Sequence, residues 1–416
     1  MIVFFFVYFC NEFQMNHNHK EKALLQLQML SFKKGTYLLV EGKPDNYFFF
    51  IIQQGNIQYS KITENGNSTL KYGPGDFLGV VPCMAGKPQM ASAIAITDVI
   101  VISVRREQYP ELIANNTPVA LKIIKNFSNR MRMMNELLSK AALNSVAKEN
   151  YEQIFNVAYF YEKKGKNDIS AFAYYQFLKT KPIGKAAEYA KRKFIALKPT
   201  TKAVYFEPTA ELTRKYPQDT MVFSESQNGA EMFIIQSGEI EISKVVQGNE
   251  VTLAVLKKGD MFGEMALLEN KPRSASAIAR TDCVLMVINR SNFNQMVSTQ
   301  PQLIFKLTMT FAERIWSMYR QLENANLSDP VAKMIDMLSL QLEKQKVELN
   351  SRSLQTDFTP KDLVNMCALT ETIAPRAIYD FQEYQNIKIL NGKIFIKDVQ
   401  DLFKQAAFYR KQNVQK

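Results

Sequence analysis

One short stretch of the sequence combines residue types that together bind a phosphate and a hydroxyl pair. Gly263 has no Cβ, so a ligand can approach the backbone there. The residues after it can form a helical turn, whose free N–H groups favour an anion. Arg273 can donate a forked pair of hydrogen bonds to phosphate oxygens. The carboxylate of Glu264 would repel a phosphate, but it can accept hydrogen bonds from a ribose edge. The pattern therefore suggests a nucleotide.

The segment from Phe262 to Ala277 resembles the phosphate-binding cassette of cyclic-nucleotide-binding domains. That pattern runs Phe-Gly-Glu-aliphatic-Ala-Leu, then a short loop, then Pro-Arg-small-Ala, and every one of these positions is filled. The resemblance implies that Glu264 binds the ribose 2′-hydroxyl and that Arg273 binds the cyclic phosphate. It also implies that backbone groups complete the cradle at Gly263, Met265, Ala266, Ser274 and Ala275. An ordinary β-hairpin loop is the alternative interpretation.

An internal repeat places this segment in the second of two similar domains. The run FIIQQGNI at 50–57 recurs as FIIQSGEI at 233–240, and ASAIA occurs at both 91–95 and 275–279. Short strand-like runs separated by turns predict a β-barrel of the jelly-roll type in each copy. The resemblance implies the same fold.

The first copy lacks both charged contacts of the cassette. Aligning the two copies sets Val80 opposite Glu264 and Gln89 opposite Arg273. Burying a phosphate without a cation beside it costs roughly several kcal/mol of free energy. We therefore interpret the first barrel as structural, or as a site for a different kind of ligand.

The chain as a whole is predicted to be an α+β protein of several domains. The predicted segments are an uninformative tail at 1–20, a barrel plus helix at 21–147, a helical hairpin at 148–200, a nucleotide-binding barrel plus helix at 201–327, and a winged helix-turn-helix at 328–416. The hairpin resembles one tetratricopeptide repeat. A single repeat cannot bury its own apolar face, so we expect it to prop one barrel against the other; a peptide-binding groove is the alternative.

A long helix beginning near Pro301 carries an apolar stripe at three- and four-residue steps. Its members are Leu303, Leu307, Phe311, Ile315, Met318 and Leu322. Such a stripe suits pairing with the same helix of a second copy, so we predict a homodimer. Packing on its own barrel is the alternative, and both can hold along different turns.

The C-terminal segment carries the signals of a winged helix-turn-helix. Thr359 is a plausible N-cap, Pro360 suits the first helical position, and Asp362 completes a capping pattern. A second helix follows a short turn. Asn391-Gly392 between two apolar runs predicts a two-residue hairpin, the wing.

With a barrel, a long helix and this module in series, residues 201–400 resemble bacterial regulators of the cyclic-AMP receptor protein/Fnr family. The resemblance implies that the second helix of the motif reads double-stranded DNA in the major groove. The matching positions are Thr370, Glu371, Thr372 and Arg376, and we expect Lys388 and Lys393 in the wing to contact phosphates. Glu371 replaces an arginine usual in the family, and Pro375 falls inside the expected helix, which would then start late. A protein-interaction module is the alternative.

The same resemblance bears on the ligand. It assigns Arg314, on the long helix, to the neighbourhood of the purine, while Met318 and Tyr319 stand where the family has a hydroxyl pair. The spacing from Glu264 to Arg273 is more similar to the cassette of kinase regulatory subunits. We favour cyclic AMP over cyclic GMP as the ligand, although the residues themselves leave that choice open.

The composition of the chain bears on which partners, metal sites and enzymatic activities we expect. The net charge of +12 in 416 residues favours an anionic partner. The four cysteines form no Cys-x-x-Cys pair, so we expect neither disulfides nor a zinc site, and a cytoplasmic location. The only two histidines, His17 and His19, lie in the tail, and no nucleophile–base set is evident. We therefore expect a protein without enzymatic activity, cofactor, metal or membrane span.

Overall fold

In the computed structural model of the chain, the described residues are 27–44, 47–63, 66–143, 151–205, 212–246, 248–348 and 352–414. The N-terminal tail and its histidines His17 and His19 lie outside these residues. The chain divides into two units. The first runs up to Phe127 and includes Asn294–Trp316, and the second comprises Ser128–Phe293 with everything from Ser317 onward.

The first unit is built on eight short strands rich in β-branched and aromatic residues. They are β1 Gln28–Phe32, β2 Tyr37–Leu39, β3 Phe48–Gln54, β4 Ile57–Thr63, β5 Gly66–Tyr72, β6 Phe77–Leu78, β7 Ser92–Ala95 and β8 Val99–Arg105. They pair in two sheets, β1-β8-β3-β6 and β2-β7-β4-β5. Phe50, Ile52, Ile57 and Val101 meet in the apolar core between the strands. A short helix, α1 Val80–Ala85, connects β6 to β7.

Two helices follow where the sequence predicts a single helix after the first barrel. They are α2 Tyr109–Asn115 and α3 Thr117–Leu143. Asn116 separates them with a non-helical backbone (φ −142°, ψ 68°). Pro118 contributes to the break, because it has no N–H with which to continue the hydrogen bonds of α2, and it suits the first turn of the new helix α3.

The segment after α3 contains three helices instead of the predicted hairpin. They are α4 Tyr151–Lys163, α5 Asn167–Lys179 and α6 Lys185–Leu197. The third helix packs through Ala190, which is fully buried, and through Tyr189, whose ring lies 6.0 Å from that of Phe155. The resemblance to one tetratricopeptide repeat, which has two helices, accounts for α4 and α5 and does not include α6.

A second set of eight strands repeats the first set position by position. They are β9 Thr213–Tyr216, β10 Met221–Phe223, β11 Glu231–Ser237, β12 Ile240–Val246, β13 Asn249–Leu256, β14 Met261–Phe262, β15 Ser276–Ala279 and β16 Cys283–Asn289. Their sheets have the orders β9-β16-β11-β14 and β10-β15-β12-β13. The helix α7 Glu264–Glu269 stands where α1 stands in the first copy. The predicted duplication of an antiparallel β-domain is confirmed.

The three-helix segment packs on this second β-domain. Ile154, Val157 and Phe172 share an apolar core with Met221 and Val245. The side-chain amide of Gln153 also donates a hydrogen bond to the Val245 carbonyl at 2.6 Å. The segment thus covers one sheet of the second domain, which is how a single helical repeat buries its apolar face.

Two more helices lead from the second β-domain towards the C-terminus: α8 Arg290–Thr299 and α9 Pro301–Ala325. Four members of the predicted stripe of α9 are buried within this chain: Leu307, Phe311 and Ile315 are fully inaccessible, and Met318 is 8% exposed. The side chain of Leu303 lies outside the described part of the structure. Leu322 is half-buried. Helical periodicity identified the apolar face correctly, but it carried no information on whether the same chain or a second copy covers that face.

The C-terminal module comprises α10 Pro330–Lys344, β17 Leu354–Gln355, α11 Pro360–Met366, α12 Ala374–Gln382, β18 Ile387–Leu390, β19 Lys393–Ile396 and α13 Val399–Val414. Thr359 and Asp362 form the predicted capping box at the start of α11. Pro375 lies in the first turn of α12, consistent with the late start expected for that helix. Asn391 and Gly392 both have positive φ, at 51° and 77°, as the two-residue turn requires.

A buried carboxylate ties this module to the end of α9. Asp336 on α10 is completely buried. It accepts hydrogen bonds from Nη2 of Arg320 at 3.1 Å, from Nδ2 of Asn324 at 3.0 Å and from Nη1 of Arg410 on α13. Two helices that flank α10 therefore share one acceptor.

Candidate functional site

Gly263 lies where β14 ends and α7 begins, with a left-handed backbone (φ 78°, ψ 0°). A Cβ at this position would lie 2.7 Å from Nη1 of Arg273 and 3.3 Å from the Glu231 carbonyl oxygen. Non-bonded heavy atoms prefer to lie about 3.5 Å apart or more, so no larger residue fits. The glycine predicted to admit a ligand also admits the arginine.

Arg273 is buried, with 5% of its surface exposed. Its Nη1 donates a hydrogen bond to the Gly263 carbonyl at 2.5 Å. The guanidinium lies 4.2 Å from the ring centroid of Phe223 and 5.9 Å from that of Phe233, within reach of cation–π attraction. A Cβ on Gly229 would lie 2.4 Å from its Nε. Two glycines and two aromatic rings therefore hold the cation in place.

The electrostatics of Arg273 fit an anion. Burial lowers the pKa of Arg273 to about 10, and the carboxylates of Glu231 and Glu264 oppose that shift. The side chain is charged at neutral pH but desolvated, which is costly for a cation. Its Nε is buried and has no hydrogen-bond acceptor among the described residues. A phosphate group would supply both the missing charge and the missing acceptor.

Two acidic residues border the arginine, and the sequence pointed to only one of them. Glu264, the first residue of α7, is 1% exposed. Glu231 on β11 forms a two-point ion pair with Arg214, with both Nη–Oε distances at 2.8 Å. Glu231 thus has its own cationic partner on β9. No short motif links these two strands, so Arg214, Glu231 and Gly229 were missed.

The other predicted cradle residues gather in the same loop and helix. Met265 and Ala266 are buried in the first turn of α7. Ser274 and Ala275 are 8% and 4% exposed, and Oγ of Ser274 lies 3.5 Å from Sδ of Met265. The structure brings together the seven cassette residues named from the sequence.

The eighth residue, Arg314, belongs to the other unit of the chain. It is half-buried on the part of α9 that clusters with the first unit, whereas the cassette belongs to the second. Its assignment to the purine stays a prediction.

Helix α3 contacts the cassette through polar side chains that the sequence did not reveal. Nε of Arg132 lies 2.8 Å from Oε2 of Glu269, and both side chains are almost fully buried. Arg132 also donates to the Pro272 carbonyl at 3.0 Å, and Ser128 donates to Glu269 at 2.6 Å. Nδ2 of Asn135 lies 3.4 Å from Oγ of Ser274. Both the helix and the loop of the cassette are thereby fastened to α3.

The corresponding place in the first β-domain is neutral. Gly79 has the same left-handed conformation, at φ 77°. Val80 and Gln89 are buried, at 5% and 3% exposed. A Cβ on Gly79 would lie 3.1 Å from Cδ1 of Leu39 and 3.8 Å from Oε1 of Gln89. Aliphatic and amide groups fill the space that Phe223 and Arg273 occupy in the second domain.

The six residues predicted to contact DNA are exposed on the C-terminal module. They are Thr370, Glu371, Thr372, Arg376, Lys388 and Lys393. Two of the cations already have carboxylate partners: Nε of Arg376 lies 2.8 Å from Asp380, and Nζ of Lys393 lies 3.1 Å from Asp357. Such exposed pairs are weak, so a phosphate can replace them.

Other kinds of site find little support in the part of the chain that the structure describes. None of its helices has the length and apolar character of a membrane span. Its His, Cys, Asp and Glu side chains also form no cluster of three suited to a metal ion.

Comparison with known families agrees with the cassette geometry. The model described as the cyclic nucleotide-binding domain matches residues 29–116 and 213–300. Each match falls on one of the two β-domains. The chain contains two cyclic nucleotide-binding domains. The cassette around Arg273 lies in the second cyclic nucleotide-binding domain, and the neutral counterpart around Gln89 lies in the first.

Relatives of two kinds carry such domains. A CRP-like cAMP-activated global transcriptional regulator of Mycobacterium tuberculosis is 23% identical over 194 residues, which are 46% of this chain and 86% of the relative. The cyclic AMP receptor protein of Thermus thermophilus is 33% identical over 103 residues, 24% of this chain and 48% of that protein. A cAMP-dependent protein kinase regulatory subunit of Candida albicans is 22% identical over 284 residues, 68% of this chain and 47% of the subunit. The chain thus spans about half the length of the last two.

Proposed function

We propose that this chain is a cyclic-nucleotide-responsive, DNA-binding transcriptional regulator without enzymatic activity, and that its ligand binds in the second domain. The observation that carries the proposal is Arg273, a buried cation whose Nε is without an acceptor among the described residues. A cyclic phosphate would accept from Arg273, and the ribose 2′-hydroxyl would donate to Glu264. Cyclic AMP is favoured over cyclic GMP because the relatives described above are named for it.

The C-terminal module is the proposed DNA-binding part, a winged helix-turn-helix. In this assignment α12 enters the major groove. Thr370, Glu371, Thr372 and Arg376 lie at its start, and the hairpin with Lys388 and Lys393 reaches the phosphates. The exposure of all six residues supports the assignment.

Contacts between the second domain and the module offer a route for the signal. Arg280, at the end of β15, lies 3.0 Å from Asp362, which also caps α11. The side-chain amide of Gln321 on α9 donates to the Leu253 carbonyl at 3.0 Å. A ligand that binds one arrangement of these elements better than another shifts the population towards it.

A homodimer that pairs through the long helix α9 belongs to the same proposal. Leu307, Phe311 and Ile315 of the predicted stripe are buried in a single chain, so substituting them would destabilise the fold as well as a dimer that pairs through other turns of α9. Sedimentation equilibrium with and without ligand tests the oligomeric state.

The decisive experiment joins both halves of the proposal. Calorimetry with cyclic AMP, cyclic GMP and 5′-AMP identifies the ligand, and DNA retention is then measured from a random-sequence pool with and without it. We expect ligand to tighten retention. Substituting Lys393 by Ala should lower the slope of log affinity against log salt by about one unit. A protein that binds nucleotide but retains no DNA at low salt would exclude the DNA-binding half.

The second candidate function is a nucleotide-responsive regulator of a protein partner. Two observations favour it. The similarity to the kinase regulatory subunit covers 68% of this chain, and α12 and its preceding residue expose two large apolar side chains, Ile373 at 44% and Tyr379 at 57%. Substituting both by Ser should abolish binding to such a partner yet leave phosphate contacts of the module intact. The DNA experiment separates the two candidates.

A further inference from the structure

The three-helix segment at 151–205 concentrates the positive charge of the chain. It contains eleven Lys and Arg residues against four Asp and Glu, a net charge of +7 in 55 residues, compared with +12 for all 416. The proposed contacts of the nucleotide site use none of these cations, and one of them, Lys164, pairs with a residue of the C-terminal module. A local excess of this size marks a surface for an anionic partner.

Five of these lysines gather at one end of the segment. The end of α4, the start of α5 and the end of α6 meet there, because the backbone N–H of Lys202 donates to Asp168 at 2.6 Å and Nζ of Lys193 pairs with Glu162 at 2.6 Å. We name this set the basic end; its members are Lys163, Lys164, Lys166, Lys198 and Lys202, all of them exposed.

Aromatic residues one helical turn earlier orient several of these lysines. Nζ of Lys163 lies 5.1 Å from the ring centroid of Tyr159, and Nζ of Lys198 lies 5.7 Å from that of Phe194. An aromatic residue followed four positions later by lysine places the stem along the ring. The rings thereby orient the ammonium groups of Lys163 and Lys198, and an uncharged ring does not neutralise them.

The basic end borders the proposed DNA-reading helix. Nζ of Lys164 lies 3.4 Å from Oε1 of Glu371, which is three residues before the start of α12. Both side chains are well exposed, so the pair is weak, and the cation offsets the repulsion between Glu371 and a phosphate. A long polyanion that runs past the start of α12 meets the lysines at 163–166 next.

A membrane surface fits these observations less well. Binding in a bilayer interface requires a continuous apolar face on the helix. The outer face of α6 carries Lys185, Lys191 and Arg192 beside a single large apolar residue, Ile195, which is 62% exposed. Its apolar side, with Ala190, is turned inward.

We propose that the basic end is a second DNA-backbone surface, which extends the contact of the C-terminal module along the duplex without reading sequence. The inference rests on the proposed function for its partner, but its residues are separate from those of the module. Three lysines, Lys163, Lys198 and Lys202, carry the test, because their substitution leaves the ion pairs of Lys164 with Glu371 and of Lys166 with Glu250 untouched.

The experiment measures the affinity of the full chain for random-sequence duplex DNA by fluorescence anisotropy over a range of salt concentrations. The test variant is K163Q/K198Q/K202Q. The matched control, K181Q/K185Q/K191Q, removes the same charge from exposed lysines of the same segment outside the basic end. We expect the test variant to lower the salt slope by about two to three units, since each phosphate contact contributes about 0.9, and the control to leave it unchanged. Thermal unfolding followed by circular dichroism verifies that both variants are folded.

A third variant, K388Q/K393Q, separates this inference from the proposed function. If only K388Q/K393Q lowers the slope, the basic end is not a DNA surface and the proposed function stands. If only the test variant lowers it, the basic end is confirmed and the module is excluded. The inference would be overturned if the test and control variants lost equal amounts of the salt slope, or if the parent protein bound no DNA. It would also be overturned if the test variant kept the DNA slope of the parent protein and lost only its binding to vesicles of anionic lipid.

Discussion

At the scale of single residues, the second domain is arranged around the cost of one buried cation. Arg273 is desolvated between Gly229 and Gly263 and covered by Phe223. Burying a charge is unfavourable until a counter-charge with hydrogen-bond acceptors arrives. The free protein therefore holds the arginine in a position that a phosphate stabilises. Such preorganisation favours affinity, because little has to be ordered when the ligand binds.

Replacing Arg273 by Ala should weaken binding of the cyclic nucleotide by about 2–5 kcal/mol, the range for removing one partner of a buried charge pair. Calorimetry with the ligand measures the loss. Lys257→Ala is the matched control, because this lysine is half-exposed and pairs with Glu239 on the surface of the same domain. Unchanged affinity in Arg273→Ala would exclude the assigned phosphate contact.

Replacing Glu264 by Gln should reduce the affinity for the cyclic nucleotide by less than Arg273→Ala does, and only for ligands with a free 2′-hydroxyl. A hydrogen bond to a charged group contributes about 1.5–3 kcal/mol, and here only a ligand with a free 2′-hydroxyl can make it. The parent protein should prefer the ribose form of a cyclic nucleotide to its 2′-deoxy form. The preference should be weaker in the variant, because the neutral amide oxygen of Gln accepts a weaker hydrogen bond than a carboxylate does. Equal discrimination in both proteins would contradict the role given to Glu264.

Nucleotide binding should also depend on pH in the alkaline range. Burial lowers the pKa of Arg273 to about 10 from 12.5. The cation is present at neutral pH and is lost as pH rises through about 10, so affinity should be constant near neutrality and then fall. The sign for stability is opposite, because deprotonation relieves the cost of a buried charge. Calorimetry at several pH values tests this, and Arg273→Ala should show no such fall.

At the scale of elements, α3 acts as a brace for the cassette. Arg132 reaches both the end of α7, through Glu269, and the loop after it, through the Pro272 carbonyl. A ligand that moves the cassette must therefore either break these contacts with α3 or move α3 together with the cassette.

Replacing Arg132 by Ala should lower the free energy of unfolding by about 3–5 kcal/mol, because it leaves the buried carboxylate of Glu269 without its main cation. Urea unfolding measures the change. Lys271→Gln removes a second, half-exposed cation 3.5 Å from the same carboxylate, and we expect a loss below about 1 kcal/mol. Similar losses in the two variants would show that burial of the Arg132 pair is energetically unimportant.

Local patterns predicted elements well, whereas contacts between distant segments were not predictable. The capping box at Thr359 and the turn at Asn391 follow from residues within a few positions of one another. The pairs Arg132–Glu269 and Arg214–Glu231 join residues 137 and 17 positions apart. The periodicity of apolar residues along the sequence does not predict such ion pairs. The cassette was found because its ligand contacts lie within one short loop.

At the scale of the whole molecule, two domains of one fold carry chemically different sites. We predict one cyclic nucleotide per chain, bound in the second domain, because Leu39, Val80 and Gln89 make the first site neutral. Calorimetric stoichiometry should be one for the parent protein and should vanish with Arg273→Ala. Two equivalent sites would contradict the prediction.

The shared carboxylate of Asp336 has a consequence for how the chain opens. Because Arg320, Asn324 and Arg410 bond to this one buried group, detaching α13 leaves a charge without part of its solvation. The end of α9, α10 and α13 should then lose their amide protection together, as one cooperative unit. Partial unfolding that frees only the last helix becomes a rare event. Proteolysis from the C-terminus is correspondingly governed by the stability of that whole unit.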